Sequence, residues 1–183
     1  YYLYFCEKFI PLIMKRLILL FILTLFGMSR VVAQDNNPSQ TTDLKAYVDS
    51  LSTKLNTLQH DYDYLYCSHE INRLQFELKD LMHDVNFDSN AILIKCFLGR
   101  YDSDLYSIYR SGYNSQVDLY DAFKESVEGV QRAVRLRILS SNFTQNEIDV
   151  LMNGCETLDR CLSALQSALD YCELVLGMYR DLK

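Results

Sequence analysis

Three histidines, six cysteines and fourteen tyrosines are the residues of this chain that could carry chemistry. His69-Glu70-Ile71-Asn72-Arg73 opens like the H-E-x-x-H zinc motif but closes on arginine, so the second imidazole is missing. Asp80-x-x-His83 has the carboxylate–histidine spacing of a di-iron bundle, which requires a second such pair on a facing helix, and the sequence has none. On one helix His69 and His83 would stand about 21 Å apart, too far to share an ion. His60 completes the set without adding a motif. Neither a G-x-x-x-x-G-K-[ST] nor a G-x-G-x-x-G phosphate loop occurs, nor a G-x-S-x-G nucleophile elbow. These absences predict no catalytic, cofactor or metal site.

One constellation stands out. Tyr62, Tyr64 and Tyr66 alternate in one stretch, and Tyr101, Tyr106, Tyr109 and Tyr113 cluster in another, with Tyr171 and Tyr179 further on. A chain folded at residues 87 and 142 brings all but Tyr101 to similar heights at about 1.5 Å rise per residue. Aromatic rings with polar tips suit a small-molecule pocket. Tyr62, Tyr66, Tyr106, Tyr109, Tyr113 and Tyr171 are therefore a candidate ligand pocket, against the plainer reading of a layer of large core residues.

The elements that must position these residues are helices. Pro38 is the last proline, so nothing after it forbids long helices. The first helix is expected to begin near Thr42 or Asp43. Its apolar row, Leu44, Val48, Leu51, Leu55, Leu58, Tyr62, Leu65, alternates steps of four and three, the seam of a helix packed along another helix. The alternation resumes displaced by two residues in Cys67, Ile71, Leu74, Leu78, Leu81 and Val85, which marks either a local change of winding or a break. Asp88 offers an N-cap for a second helix, with Phe87 and Ile92 at staple positions, and a further interruption with its own cap fits Gly99–Asp104. Tyr120, Phe123, Val127, Val130 and Val134 hold the second seam, and Arg132, Arg135 and Arg137 crowd its last turns, favourable at a helix C-terminus. The third helix has the clearest start, with Thr144 and Glu147 as a capping box and Phe143 with Ile148 as a staple. Its seam runs unbroken through Ile148, Leu151, Cys155, Leu158, Leu162, Leu165, Leu169, Cys172, Leu176 and Tyr179. A second row from Cys161 to Met178 widens the stripe, so this helix should touch two neighbours. The expected fold is all-α: an antiparallel bundle of three long helices with coiled-coil-like packing, becoming four or five if the chain splits at 66–70 or 99–103.

The N-terminal stretch reads differently. Met14 precedes Lys15 and Arg16, an apolar run from Leu17 to Phe26, and Val31-Val32-Ala33, the layout of a secretory signal peptide cleaved after Ala33. Residues 1–13 then read as an upstream mis-start, 14–33 as the signal, 34–41 as a short polar linker and 42–183 as one helical-bundle domain. The apolar run is too short to span a bilayer, which takes about 20 residues. The alternative is an uncleaved N-terminal membrane anchor, with Lys15 and Arg16 inside the span at a cost. A cleaved chain would be periplasmic or secreted and would have no stable membrane span.

The net charge is −6, and the leader carries more basic than acidic residues, so the exported part is more acidic still. That argues against nucleic acid, whose binding needs a basic surface. After the leader come Cys67, Cys96, Cys155, Cys161 and Cys172; an odd number leaves at least one thiol free or paired between chains. With the first turn placed at 86–88, Cys67 and Cys172 fall within about 7.5 Å of axial offset, so they are the candidate disulfide, with two buried free thiols as the alternative. Two function classes follow: a non-enzymatic, acidic helical bundle acting structurally or through another protein, homo-oligomers included, and a small-ligand binder built on the tyrosines.

Overall fold

The structure, a computed structural model, describes residues 38–183. The proposed mis-start, the signal peptide and residues 34–37 lie outside the described residues. Three α-helices follow in order: α1, Pro38–Phe97; α2, Ser103–Ser140; α3, Gln145–Arg180. They pack as an all-α three-helix bundle. Contacts divide the chain into two units, residues 1–53 and 54–183. The described part of the first is the opening of α1, where Leu44 and Val48 are exposed. The second holds the bundle.

The helix directions follow from cross-helix contacts. His60 meets Glu147 and Cys96 reaches the carbonyl of Val175, so α1 and α3 run parallel. Gln116 meets Asp88, Gln131 meets Asp159, and Arg137 meets Asp63, so α2 runs against both.

The first turn differs from the expectation. No helix starts at Asp88; α1 continues through residues 86–88 to Phe97. The buried row of α1 runs Cys67, Ile71, Leu74, Leu78, Leu81, Val85, Ser89, Ile92, so helical steps of three and four continue past residue 86, with two steps of four in succession at Val85. Asp88 spends its carboxylate on Gln116 rather than on a cap, and Phe87, 67% exposed, staples nothing. The chain breaks where the second interruption was expected. Gly99 takes φ +62, the left-handed conformation that ends helices, and Asp102 caps α2 by accepting from the N–H groups of Asp104 and Leu105. The start of α1 is also earlier than Thr42, at Pro38, and proline suits a first helical position.

The displaced rows of α1 are not a break either. Two residues amount to about 200° of helical rotation, so the second row lies on the other side of the same helix. Cys67 to Ile92 faces the core. Leu55, Leu58, Tyr62 and Leu65 face solvent, each above 40% exposure.

α3 matches its expected seam. Leu151, Cys155, Leu158, Leu165, Leu169, Cys172, Leu176 and Tyr179 are buried, with Ile148 and Leu162 half-buried. Its second row is only partly used: Ala168 and Val175 are buried, whereas Tyr171 and Met178 are exposed. At Gly154 a Cβ would come within 2.9 Å of Ile71 Cγ2, so α1 approaches α3 closely enough there that any larger residue would force a local shift.

Candidate functional site

The six tyrosines proposed as a pocket do not assemble. Extending α1 by about ten residues moves its later half past the level expected, and the tyrosines divide between the two ends of the bundle. Tyr62 and Tyr66 stack on each other at 6.3 Å near the α2–α3 turn, and the Arg137 guanidinium lies 4.1 Å over the Tyr66 ring. Tyr106, Tyr109 and Tyr113 stand on α2 near the α1–α2 turn, and Tyr171 is exposed on α3.

At the α1–α2 end the ring contacts are structural. Tyr101, Tyr106 and Tyr179 form a mutual cluster with centroids 5.6–6.5 Å apart. Tyr179 is fully buried and its hydroxyl accepts from the Asp102 N–H at 3.1 Å, tying the C-terminal end of α3 to the α2 cap. Burial pushes the Tyr109 hydroxyl above the usual phenol range. The Tyr113 hydroxyl is pushed the same way by burial and donates to Glu173 Oε2 at 3.2 Å. Glu173 also pairs with Arg110 at 3.6 Å. A cleft of about 350 Å³ lies beside them, and of the six candidate tyrosines only Tyr106 lines it, with Arg110, Glu173, Leu176, Gly177 and Arg180.

At the other end a polar clasp joins α1 to the α2–α3 turn. His60 bridges Asp61 through Nδ1 at 3.1 Å and Glu147 through Nε2 at 3.3 Å. Its ring packs edge-on against Phe143, as does Tyr64. The bond to Asp61, and then the charge and bond of Glu147, hold the His60 pKa above its ordinary value. Glu147 is held below the usual carboxylate range, first by the hydroxyl and backbone N–H of Thr144. Thr144 and Glu147 form the expected capping box. Asp63 accepts from Ser141 at 3.0 Å and pairs with Arg137 at 3.4 Å. Arg137 therefore acts on Asp63 and Tyr66 as well as sitting at the helix end.

A third group had not been singled out from the sequence. Ser89 of α1 and Gln116 of α2 are buried, and Cys172 of α3 is buried beside Ser89. The Ser89 hydroxyl donates to the Val85 carbonyl at 2.7 Å, and Gln116 Nε2 donates to Asp88 at 2.7 Å, leaving Gln116 Oε1 buried and without a partner. Ser89 stands four residues after Val85 and three before Ile92, a helical spacing whose two successive steps of four depart from the strict alternation that would have pointed to Asp88.

The candidate disulfide is corrected here. Cys172 lies level with Ser89, whereas Cys67 lies near Cys155, so about 33 Å of helix separates the two levels. A bridge needs Cα atoms within about 7 Å. All five described cysteines are free thiols, and burial raises the pKa of Cys67, Cys96, Cys155 and Cys172. Among the described residues no three His, Cys, Asp or Glu side chains converge as a metal set would. His69 and His83 sit exposed beside Glu70 and Asp84.

The remaining feature is the outer row of α1. Leu55, Leu58, Tyr62 and Leu65 stand exposed in heptad spacing. A shorter exposed row of the same spacing lies on α3 at Tyr171, Leu174 and Met178, and further exposed apolar side chains are spread over the described helices, as on most protein surfaces. Among the described residues no helix is long and apolar enough to cross a membrane. Compared with known proteins, the chain matches no family model, no curated sequence and no solved structure.

Proposed function

We propose that this is an exported, non-enzymatic helical-bundle protein that acts through contact with another protein along the outer face of α1. The observation that carries the reading is the exposed apolar row itself. Leu58 and Leu65 are each 66% exposed, in a spacing that suits a partner helix and serves no contact within the described bundle. The leader pattern after Met14 supports export, to the periplasm or beyond the cell. The acidic balance favours a protein partner over an anionic polymer or membrane surface.

Two measurements test this. Mass spectrometry of the cellular protein should find Gln34 as its first residue; retention of residues 1–33 would refute cleavage and favour the anchored alternative. In-cell photocrosslinking from position 58 should capture protein, while the same probe at exposed Lys79 should not. Equal capture at both positions, or none at 58, would refute the assignment of the interaction to this face.

A further inference from the structure

From the seam on α1 we infer that its occupant is a second copy of this chain, paired antiparallel along the same helix. The inference rests on the protein-contact reading above and goes further by naming the partner.

The core-facing row fixes where the seam points. Tyr62 lies about 180° around the helix from Ile71 at about 100° per residue. Ile71 is buried against α3, whereas Tyr62 is exposed. A partner on the seam therefore meets α1 on the side away from the core. In heptad terms Val48, Leu55 and Tyr62 take the a positions, and Leu44, Leu51, Leu58 and Leu65 take the d positions. Lys54 and Asp61 fall at successive g positions, where charges flank the apolar seam and set pairing and orientation.

Charge then discriminates among the pairings. In a parallel pair, g positions face e positions, so Lys54 meets Gln59 and Asp61 meets Tyr66, with no ion pair formed. In an antiparallel pair g faces g. The register that sets Leu55 against the partner's Leu58 brings Lys54 to the partner's Asp61, and by symmetry Leu58 to the partner's Leu55 and Asp61 to the partner's Lys54. Sliding one heptad either way sets Lys54 against Lys54 or Asp61 against Asp61, which is repulsive. One register thus satisfies the apolar seam and both charges. Asp61 bonds His60 on one side, and its side chain, 59% exposed, leaves room for the partner's Lys54 on the other.

The test is sedimentation equilibrium of the protein as purified from the cells that make it, with three variants. The wild type should be a dimer. Leu58→Glu places a charge on the seam at an exposed position, so folding should survive while the dissociation constant rises on the order of 100-fold. Lys54→Glu should weaken the dimer roughly tenfold, and Lys54→Glu with Asp61→Lys should restore it. Carbodiimide coupling of mixed light and heavy protein should yield an intermolecular Lys54–Asp61 amide. A dimer that ignores Leu58→Glu, or a charge swap that restores nothing, overturns the antiparallel seam. A monomer also overturns it, and if position 58 still crosslinks another protein in cells, the contact surface stands and only its occupant was wrong.

Discussion

Gly154 offers a sharp test of how α1 and α3 are seated. A helix interior normally gains about 0.8–1.0 kcal/mol when glycine becomes alanine. At Gly154 the new Cβ would stand 2.9 Å from Ile71 Cγ2 and 3.2 Å from Cδ1. Ile71 is buried and β-branched, and such a side chain in a helix keeps essentially one χ1, so Cγ2 cannot swing aside without moving backbone. Overpacking of this kind costs about 1–3 kcal/mol, enough to cancel or exceed the propensity gain. Gly129 in α2 is the control, because nothing lies within 4 Å of its Cβ position. Urea unfolding should show Gly129→Ala stabilised by about 1 kcal/mol and Gly154→Ala at least about 1 kcal/mol below it. Removing the obstacle closes the argument. Ile71→Ala alone should cost about 2–5 kcal/mol, but in its presence Gly154→Ala should become stabilising, with a coupling of about 1–3 kcal/mol. Equal stabilisation by Gly154→Ala and Gly129→Ala in the wild-type background would mean that α1 does not cross α3 at this point.

Three further outcomes are expected. Leu165→Ala, at a fully buried position, should lose about 2–5 kcal/mol by urea unfolding; a loss under about 0.5 kcal/mol would mean a solvated face. His60, raised from 6.5, stabilises the fold below that pH and loses the contribution as pH rises through its folded value. Glu147, lowered from 4.5, contributes above that pH and loses it as pH falls through its folded value. Melting temperature should therefore decline from pH 6 to 8 more in the wild type than in His60→Gln, and parallel curves would contradict the clasp. Native thiol titration should label half-buried Cys96 and Cys161 before Cys67, Cys155 and Cys172, and a Cys67–Cys172 link in a non-reducing peptide map would refute the register.

What was legible depended on whether the signal was local. For α3, the cap, the capping partner three residues on and the apolar alternation all coincide within a single stretch, and the buried seam from Leu151 to Tyr179 follows. For α1, local signals competed. Asp88 is a good cap by type, and the polar Ser89 interrupts the apolar seam just where a turn would be placed. Yet a cap residue marks a helix start only where the preceding helix also ends, and here that end comes at Gly99, whose left-handed φ of +62 terminates α1. One displaced turn then carried the tyrosines to the wrong heights and paired Cys67 with the wrong level.

Other features could not be read locally at all. Gly154 has no mark of its own, because its need for a missing side chain is created by Ile71, far away in sequence and opposite in space. The two rows of α1 looked like one seam with a fault, since periodicity records spacing and not which side of the helix is occupied. The two-residue displacement is too large for a change of winding. Adding or removing three or four residues shifts a seam by a fraction of a turn, whereas two residues reverse it. A helix with apolar rows on opposite sides can bury only one of them in its own bundle, and the other is the face assigned above to the proposed partner. The buried row continues through Ile92 because α2 and α3 cover it, whereas Leu55, Leu58, Tyr62 and Leu65 on the opposite side of α1 stay exposed.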